Sequence, residues 1–285
     1  MRELTRYRTS LIEERSTEVN RLQKVLEGAN IKLSSVATDI AGVSGRQILA
    51  ALVVGSKSAA AMAELAKGRL RDKIPQLEEA LRGSFGPHQR FMVARQLAHI
   101  DFLDESIERL DREVAERMRP FEEIIVRLDE ITGIGRRAAE VILAQIGVDM
   151  SRFPTAKHLA SWAGMAPGSN ESGGKRKSSR TRKGNSALRR ILVQAAHAAG
   201  HSKNTYLGAQ FRRVAARRGK KRAAVAVGHS ILVIAYNIIK HGTTYSDLGG
   251  NYFDLRDREA VKRRLVSRLK ALGYEVTLEP TKEAA

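Results

Sequence analysis

The feature that most limits what this chain can fold into is the helical spacing of its apolar residues. Between about Pro87 and Met118, residues Ile100, Leu103, Ile107, Leu110 and Val114 recur at alternating steps of three and four, the seam of a coiled coil. Met1 to Gly28 has a related rhythm in Leu4, Tyr7, Leu11, Val19, Leu22 and Leu26. Two long amphipathic helices are therefore expected, flanking a set of shorter helices over 31–80. Gly42, Ser44 and Gly45 punctuate that insert, and Ser58 is placed to cap the alanine-rich run that follows. Such helices fit an antiparallel hairpin within one chain or a coiled-coil contact between chains, the second making a homo-oligomer. Carboxylates such as Asp101, Asp104 and Glu105 lie on helix surfaces and read as ion-pair partners, not metal ligands. The first helix starts uncapped and already in register, which suggests a chain cut from something longer.

Pro120 marks a break, and a second domain is expected from near Ile124. Its helices are predicted over about 136–146, 155–163, 185–200, 205–218 and 221–240, with a short strand-like stretch at Tyr274 to Leu278 before a polar tail. The expected organisation is a coiled-coil region with a small insert over 1–120, a basic helical domain over 121–255, and a C-terminal helix and tail over 256–285. The fold class is mainly α, with a helix-hairpin-helix-like element in the second domain.

Composition removes several function classes. The 285 residues are enough for two modules with a real core. With no cysteine there is no disulfide framework, thiolate metal site or cysteine nucleophile. Walker-type and Rossmann-type fingerprints are absent. The charged start is unlike a signal peptide, and no apolar stretch is judged to reach the roughly 18 to 20 residues of a membrane span, so the expected compartment is the cytoplasm.

Charge carries the strongest functional signal. From Ser172 to Ser246 there is no Asp or Glu, yet there are seventeen Lys and Arg, which accounts for nearly all of the net charge of +19. A solvated basic face ordinarily carries acids for pairing one helical turn away. Unpaired like charges repel until a polyanion neutralises them, so this segment is expected to bind phosphate backbones.

Within and before that window, Gly133 and Gly135 flank one apolar residue between two helices. There the backbone can turn tightly and leave helix-start N–H groups for a phosphate, with Arg136 and Arg137 beside them; a purely structural turn is the alternative. Trp162, in Leu-Ala-Ser-Trp-Ala-Gly, is expected in the core. Residues 166–185 read as a loop in which Gly168, Gly173 and Gly174 allow close approach, and Lys175, Arg176, Lys177, Arg180, Arg182 and Lys183 gather phosphates. Arg189, Arg190, Arg217, Arg218, Lys220, Lys221 and Arg222 extend the same basic set. Ser172 precedes the basic run; a serine hydroxyl attacks only with a base or cations to stabilise the developing charge, and the sequence offers cations but no evident base. His197 and His201 lie one helical turn apart without a third ligand, so no metal site is assigned.

These residues also carry a resemblance. Ile131-Thr-Gly-Ile-Gly, Arg152-Phe-Pro, Leu159-Ala-Ser-Trp-Ala-Gly, Pro167-Gly-Ser-Asn-Glu-Ser-Gly-Gly-Lys-Arg, Thr181-Arg-Lys-Gly-Asn185, Arg217-Arg-Gly-Lys-Lys-Arg222 and Tyr252-Phe-Asp254 together resemble the C-terminal domain of the IS110 insertion-sequence transposases, with the preceding helices similar to the family's coiled coil. The resemblance implies DNA transposition, with Ser172 as the nucleophile that forms a phosphoserine–DNA link. It implies DNA as partner and, for some members, a structured guide RNA. It also implies a magnesium-binding RuvC-like domain that has no counterpart in 1–285, so this polypeptide alone is expected to bind nucleic acid without recombining it. The alternatives are a non-catalytic nucleic-acid-binding or regulatory derivative, and a coiled-coil interaction protein whose basicity is incidental.

Overall fold

The structure, a computed structural model, describes residues 1–168, 170–178 and 181–279. It divides into two compact units, one of residues 3–117 and one from Met118 onward.

The first unit is built on α1 (Arg2–Gly28) and α6 (Pro87–Met118). Arg8 bonds Asp111 at 3.1 Å, Arg15 bonds Asp104 at 3.2 Å, and Glu18 lies 3.7 Å from His99. Numbers rise along α1 as they fall along α6, so the two helices form an antiparallel hairpin within one chain. Leu11, Leu103 and Ile107 pack between them. Toward the other end, Leu22, Leu26, Val93 and Ile100 join the insert's α2 (Leu33–Val36), α3 (Val43–Val54), α4 (Ala59–Ala63) and α5 (Ile74–Ala80) in the main core. Ser58 caps α4, accepting from the Ala61 N–H. Arg46 of α3 reaches Asp101 and Asp104 and pins the insert to α6.

The inward face of α1 differs from the apolar one anticipated. Tyr7 is 58% exposed, whereas Thr5, Arg8 and Glu18 are buried with Leu11, Leu22 and Leu26. The buried stripe keeps helical period, but its first half is polar because α6 offers Asp111 and His99 where hydrocarbon would otherwise be required.

The second unit opens on a tight turn over Arg119–Phe121, where Pro120 ends α6. It continues through α7 (Glu122–Asp129), α8 (Arg136–Ile146), α9 (Ala156–Trp162), β1 (Asn170–Ser172), β2 (Lys175–Ser178), α10 (Ser186–His201), α11 (Tyr206–Arg218), α12 (Lys220–His241), α13 (Tyr252–Arg256) and α14 (Arg258–Ala271). Side chains of Asn185 and Thr205 cap α10 and α11 by accepting from the N–H of Leu188 and Gly208. α12 is central: Ala223, Ala224, Val227, Ile231, Leu232 and Ala235 are buried against α10, α11 and α9. Ala195, Ala196 and Ala199 on α10 and Ala223 and Ala224 on α12 are buried small side chains that let the two helices approach closely.

Three expectations for this unit are revised. Residues 170–178 form an antiparallel hairpin where a loop was read, with Ser172 opposite Lys175 and Glu171 opposite Arg176. Gly173 and Gly174 take φ of 58° and 71°, the left-handed pair of a two-residue hairpin turn. Residues 274–278 are not a strand, since no neighbouring strand is there to accept their backbone groups. α12 is long and apolar enough to cross a membrane by length and composition, contrary to the reading of the sequence; half of its apolar window is buried inside this unit.

Candidate nucleic-acid interface

In the acid-free window some cations come together at one end of the second unit, whereas Arg212 bonds the Ser202 carbonyl and Lys240 the Pro154 carbonyl elsewhere. The hairpin is rooted where Pro167 bridges Thr181, and the Arg182–Gly184 backbone then crosses that of Gly164. At the corner between α11 and α12, Arg217, Arg218, Lys220, Lys221 and Arg222 are all exposed. Gly219, at φ +81°, turns the chain there, and α12 begins with no side-chain cap. A 22-residue helix start carries partial positive charge, so dipole and side chains add. The two groups meet: Lys221 and Arg222 line a cavity of about 780 Å³ together with Pro167 and Thr181 of the hairpin root.

Ser172 stands at the far end of that hairpin, exposed and one residue from its turn. It lies five positions after Pro167, so at most about 17 Å away along the chain. Among the described residues its hydroxyl has no hydrogen-bond partner; exposed Lys175 faces it across the hairpin. Arg176 and Lys177 follow in β2, and Arg180 lies outside the described residues. Arg182 and Lys183 are exposed after the hairpin. Arg189, half-buried, and Arg190, exposed, sit in the first turn of α10.

The α7–α8 turn is at the opposite end. A Cβ on Gly133, whose φ is +90°, would lie 2.3 Å from the Ala195 carbonyl oxygen and 2.7 Å from the Ala199 nitrogen, so this glycine lets the turn press onto α10. Ala195 lies ten residues beyond Asn185 at the α10 cap, about 15 Å along the helix. Gly135 is exposed and forms the N-cap of α8. Arg136 is already committed: it grips both oxygens of Glu122 at 2.5 and 2.7 Å and reaches Glu140 at 3.3 Å. That hydrogen bond holds the Glu122 carboxyl below its ordinary range and raises the Arg136 guanidinium. Glu122 lies fourteen residues before Arg136, so local spacing did not reveal the pair. Arg137 is exposed beside it.

Asp247, the first acid after the window, anchors this end. It accepts from the N–H groups of Tyr206 and Gly249, both at 2.8 Å, and from the hydroxyls of Tyr245 at 2.8 Å and Thr132 at 3.1 Å. Burial opposes its charge, yet those donors hold its carboxyl below the ordinary value. Burial first, then the bond to Asp247, push the Tyr245 phenol up to about 12. The sequence reading missed this clamp, for which the local signal is Asp-Leu-Gly, an aspartate able to bond its own backbone two residues on.

Trp162 is not in the core. It is 40% exposed on the last turn of α9, tilted against Phe153 with ring centroids 5.4 Å apart. The inward positions of α9 are taken by Leu159 and Ala160, with Ala163 just past its end, leaving the indole at the rim. Gln210, His229 and Ser230, which line the cavity with Lys221 and Arg222, were also missed. Lys221 and His229, like Arg222 and Ser230, are two helical turns apart on one face of α12, a polar stripe legible in retrospect.

Residues 126–212 match the family model for the transposases of the IS116/IS110/IS902 family. Over that span, under a third of the chain, the sequence is similar to this transposase family. The matched span contains the α7–α8 turn, the hairpin with Ser172, and α10. A curated relative from Streptomyces coelicolor, "Insertion element IS110 uncharacterized 43.6 kDa protein", is 33% identical over 124 residues, covering 41% of this chain and 29% of the relative. The "Pilin gene-inverting protein" of Moraxella lacunata is 30% identical over 147 residues, covering 50% of this chain and 45% of the relative; its counterpart in Moraxella bovis matches to the same extent. The chain thus spans under half the length of these relatives. Among the described residues no group of three or more His, Asp or Glu could hold a metal ion, so the magnesium that the resemblance assigns to a RuvC-like domain has no ligand set among them.

Proposed function

We propose that this chain binds DNA as part of an insertion-sequence transposase or recombinase, and that Ser172 supplies the nucleophile for strand exchange. One observation carries the reading: Lys221 and Arg222, from a segment without acids, line one cavity with the root of a hairpin that carries an exposed serine beside its turn. Phosphates held by the α11–α12 corner and by the residues flanking the hairpin would place a DNA strand along that hairpin. In the step itself the Ser172 Oγ–P bond forms as one bond from phosphorus to a deoxyribose oxygen breaks. The hydroxyl proton passes through solvent to the departing oxygen. The phosphoserine link conserves the bond energy, so attack by a different deoxyribose hydroxyl rejoins strands and frees Ser172. Exposed Lys175 is the cation nearest in register to stabilise charge on phosphorus.

The test is trapping on a nicked suicide duplex with a RuvC-like domain supplied in trans. Ser172→Ala should lose the covalent adduct while still binding DNA; an undiminished adduct would falsify the assignment. A second reading, binding without catalysis, is favoured by the absence of a hydrogen-bonded base at Ser172 among the described residues. It predicts salt-dependent DNA binding and no adduct in any combination. A structured RNA is a further candidate ligand for the same cations, and competition between RNA and DNA for the protein would test it. Self-association through the α1–α6 unit is read by sedimentation.

A further inference from the structure

We propose that the first unit contains a phosphate-binding site of its own, at a cavity centred on Arg90, that takes the phosphate of a nucleotide. It lies outside the acid-free segment and does not rest on the reading given for Ser172. The cavity, about 310 Å³, falls at the small end of ligand pockets. Its charged lining residues are Lys57, Arg82 and Arg90, and no acid lines it, although outside 172–246 the chain is nearly balanced, with 33 basic against 31 acidic residues.

Arg90 is the core of the argument. Its Nε is shut off from solvent without a hydrogen-bond partner, and among the described residues its guanidinium makes no ion pair. A charged donor left unpaired in a part-buried position is costly unless something completes it. Arg90 also sits in the first turn of the 32-residue helix α6, where the dipole repels a cation, so helix electrostatics do not explain its presence. Its place is shaped by Gly55, the C-cap of α3 at φ +70°. A Cβ there would lie 2.2 Å from the Arg90 Cζ and 2.4 Å from both Nη atoms, so the guanidinium lies flat on bare backbone. The α3 carbonyl end lends it partial negative charge and helps hold it, but that fraction does not neutralise the cations that line the cavity. Arg82 shares its charge with Glu78 at 2.7 Å; Lys57 has no such partner among the described residues.

An arginine held by its face keeps its two Nη groups for one ligand, which suits the paired oxygens of a phosphate. Lys57 supplies a mobile third donor. Leu52, Met62 and Phe85 in the same wall give an apolar bed for a sugar or base, which favours a nucleotide over a bare ion. The phosphate could belong to a free mononucleotide or to a nucleic-acid strand, and the experiment separates these sources.

The full chain, labelled with nitrogen-15, is titrated separately with inorganic phosphate, AMP and a ten-nucleotide single strand, following the Arg90 Nε–H resonance, which Arg90→Gln identifies by its loss. A saturable shift is expected, with AMP reaching its midpoint below inorganic phosphate. Gly55→Ala, which displaces the guanidinium without removing charge, should raise that midpoint roughly tenfold. Lys57→Gln provides a second variant that keeps Gly55 and Arg90 and should raise it several-fold. Saturation by the strand at lower concentration than AMP assigns the phosphate to nucleic acid; saturation by AMP with no response to the strand assigns it to a free nucleotide. A resonance that none of the three ligands moves, or one equally moved in Gly55→Ala, overturns the site. Binding of DNA by the basic segment is read independently by anisotropy, so either result can fail without the other.

Discussion

Gly133 and Gly135 look equivalent in Thr-Gly-Ile-Gly, yet their surroundings separate them. Gly133→Ala must place a methyl inside the α10 backbone at positive φ, and a loss of about 2 to 4 kcal/mol is expected in urea unfolding. Gly135→Ala, with its nearest neighbour at 4.0 Å and an extended backbone, should cost less than about 1 kcal/mol by the same measurement. Tyr245 supplies a prediction in pH. Its folded pKa lies above the ordinary 10, so its contribution is fully present below pH 10 and is lost as pH climbs toward about 12. Tyr245→Phe should remove that alkaline part of the melting-temperature profile. Asp247 has the opposite sign: held low, it contributes above the ordinary carboxylate range and is lost on acidification through its folded value. The bonds of Asp247 to Tyr245 and Gly249 span two residues, but those to Thr132 and Tyr206 join residues far apart in sequence, which only the folded chain brings together.

At the scale of elements, the α1–α6 hairpin owes its register to ion pairs as much as to leucines. Arg8 is 2% exposed, and Asp111→Ala leaves its charge buried; a loss of roughly 3 kcal/mol is expected in thermal unfolding. Replacing both partners, Arg8→Met with Asp111→Leu, should restore most of it. The apolar spacing predicted both helices and the α6 face, where Ile100, Leu103, Ile107 and Val114 are buried. It misplaced Tyr7 because a hydrophobic pattern does not count buried ion pairs. The β1–β2 hairpin escaped for a related reason: Lys, Arg, Ser and Glu are weak strand formers, and two glycines signal flexibility as readily as a tight turn.

For the whole molecule, the expectation concerns charge. Changing Arg217, Arg218, Lys220, Lys221 and Arg222 to Gln should lower the slope of log affinity for duplex DNA against log salt by up to about 4.5, since each neutralised phosphate contributes about 0.9. These side chains are exposed, so circular dichroism and melting should change little. Trp162→Ala should weaken single-stranded DNA by about 1 to 3 kcal/mol without altering that slope if the indole stacks on a base, which a single-strand against duplex comparison measures.

Apolar periodicity and caps, which act over one or two helical turns, determined the mainly α class, the helix at each predicted position and the break at Pro120. Charge counting determined that one segment lacks acids, and the transposase motifs were legible as a string. Tertiary structure alone decided which cations share a surface. It put Lys221 and Arg222 at the hairpin root, spent Arg136 on Glu122, turned Trp162 outward, and set Gly133 against α10. These outcomes depend on contacts between residues distant in the chain, and a local pattern carries no record of which distant partner will arrive to bury, neutralise or expose a side chain.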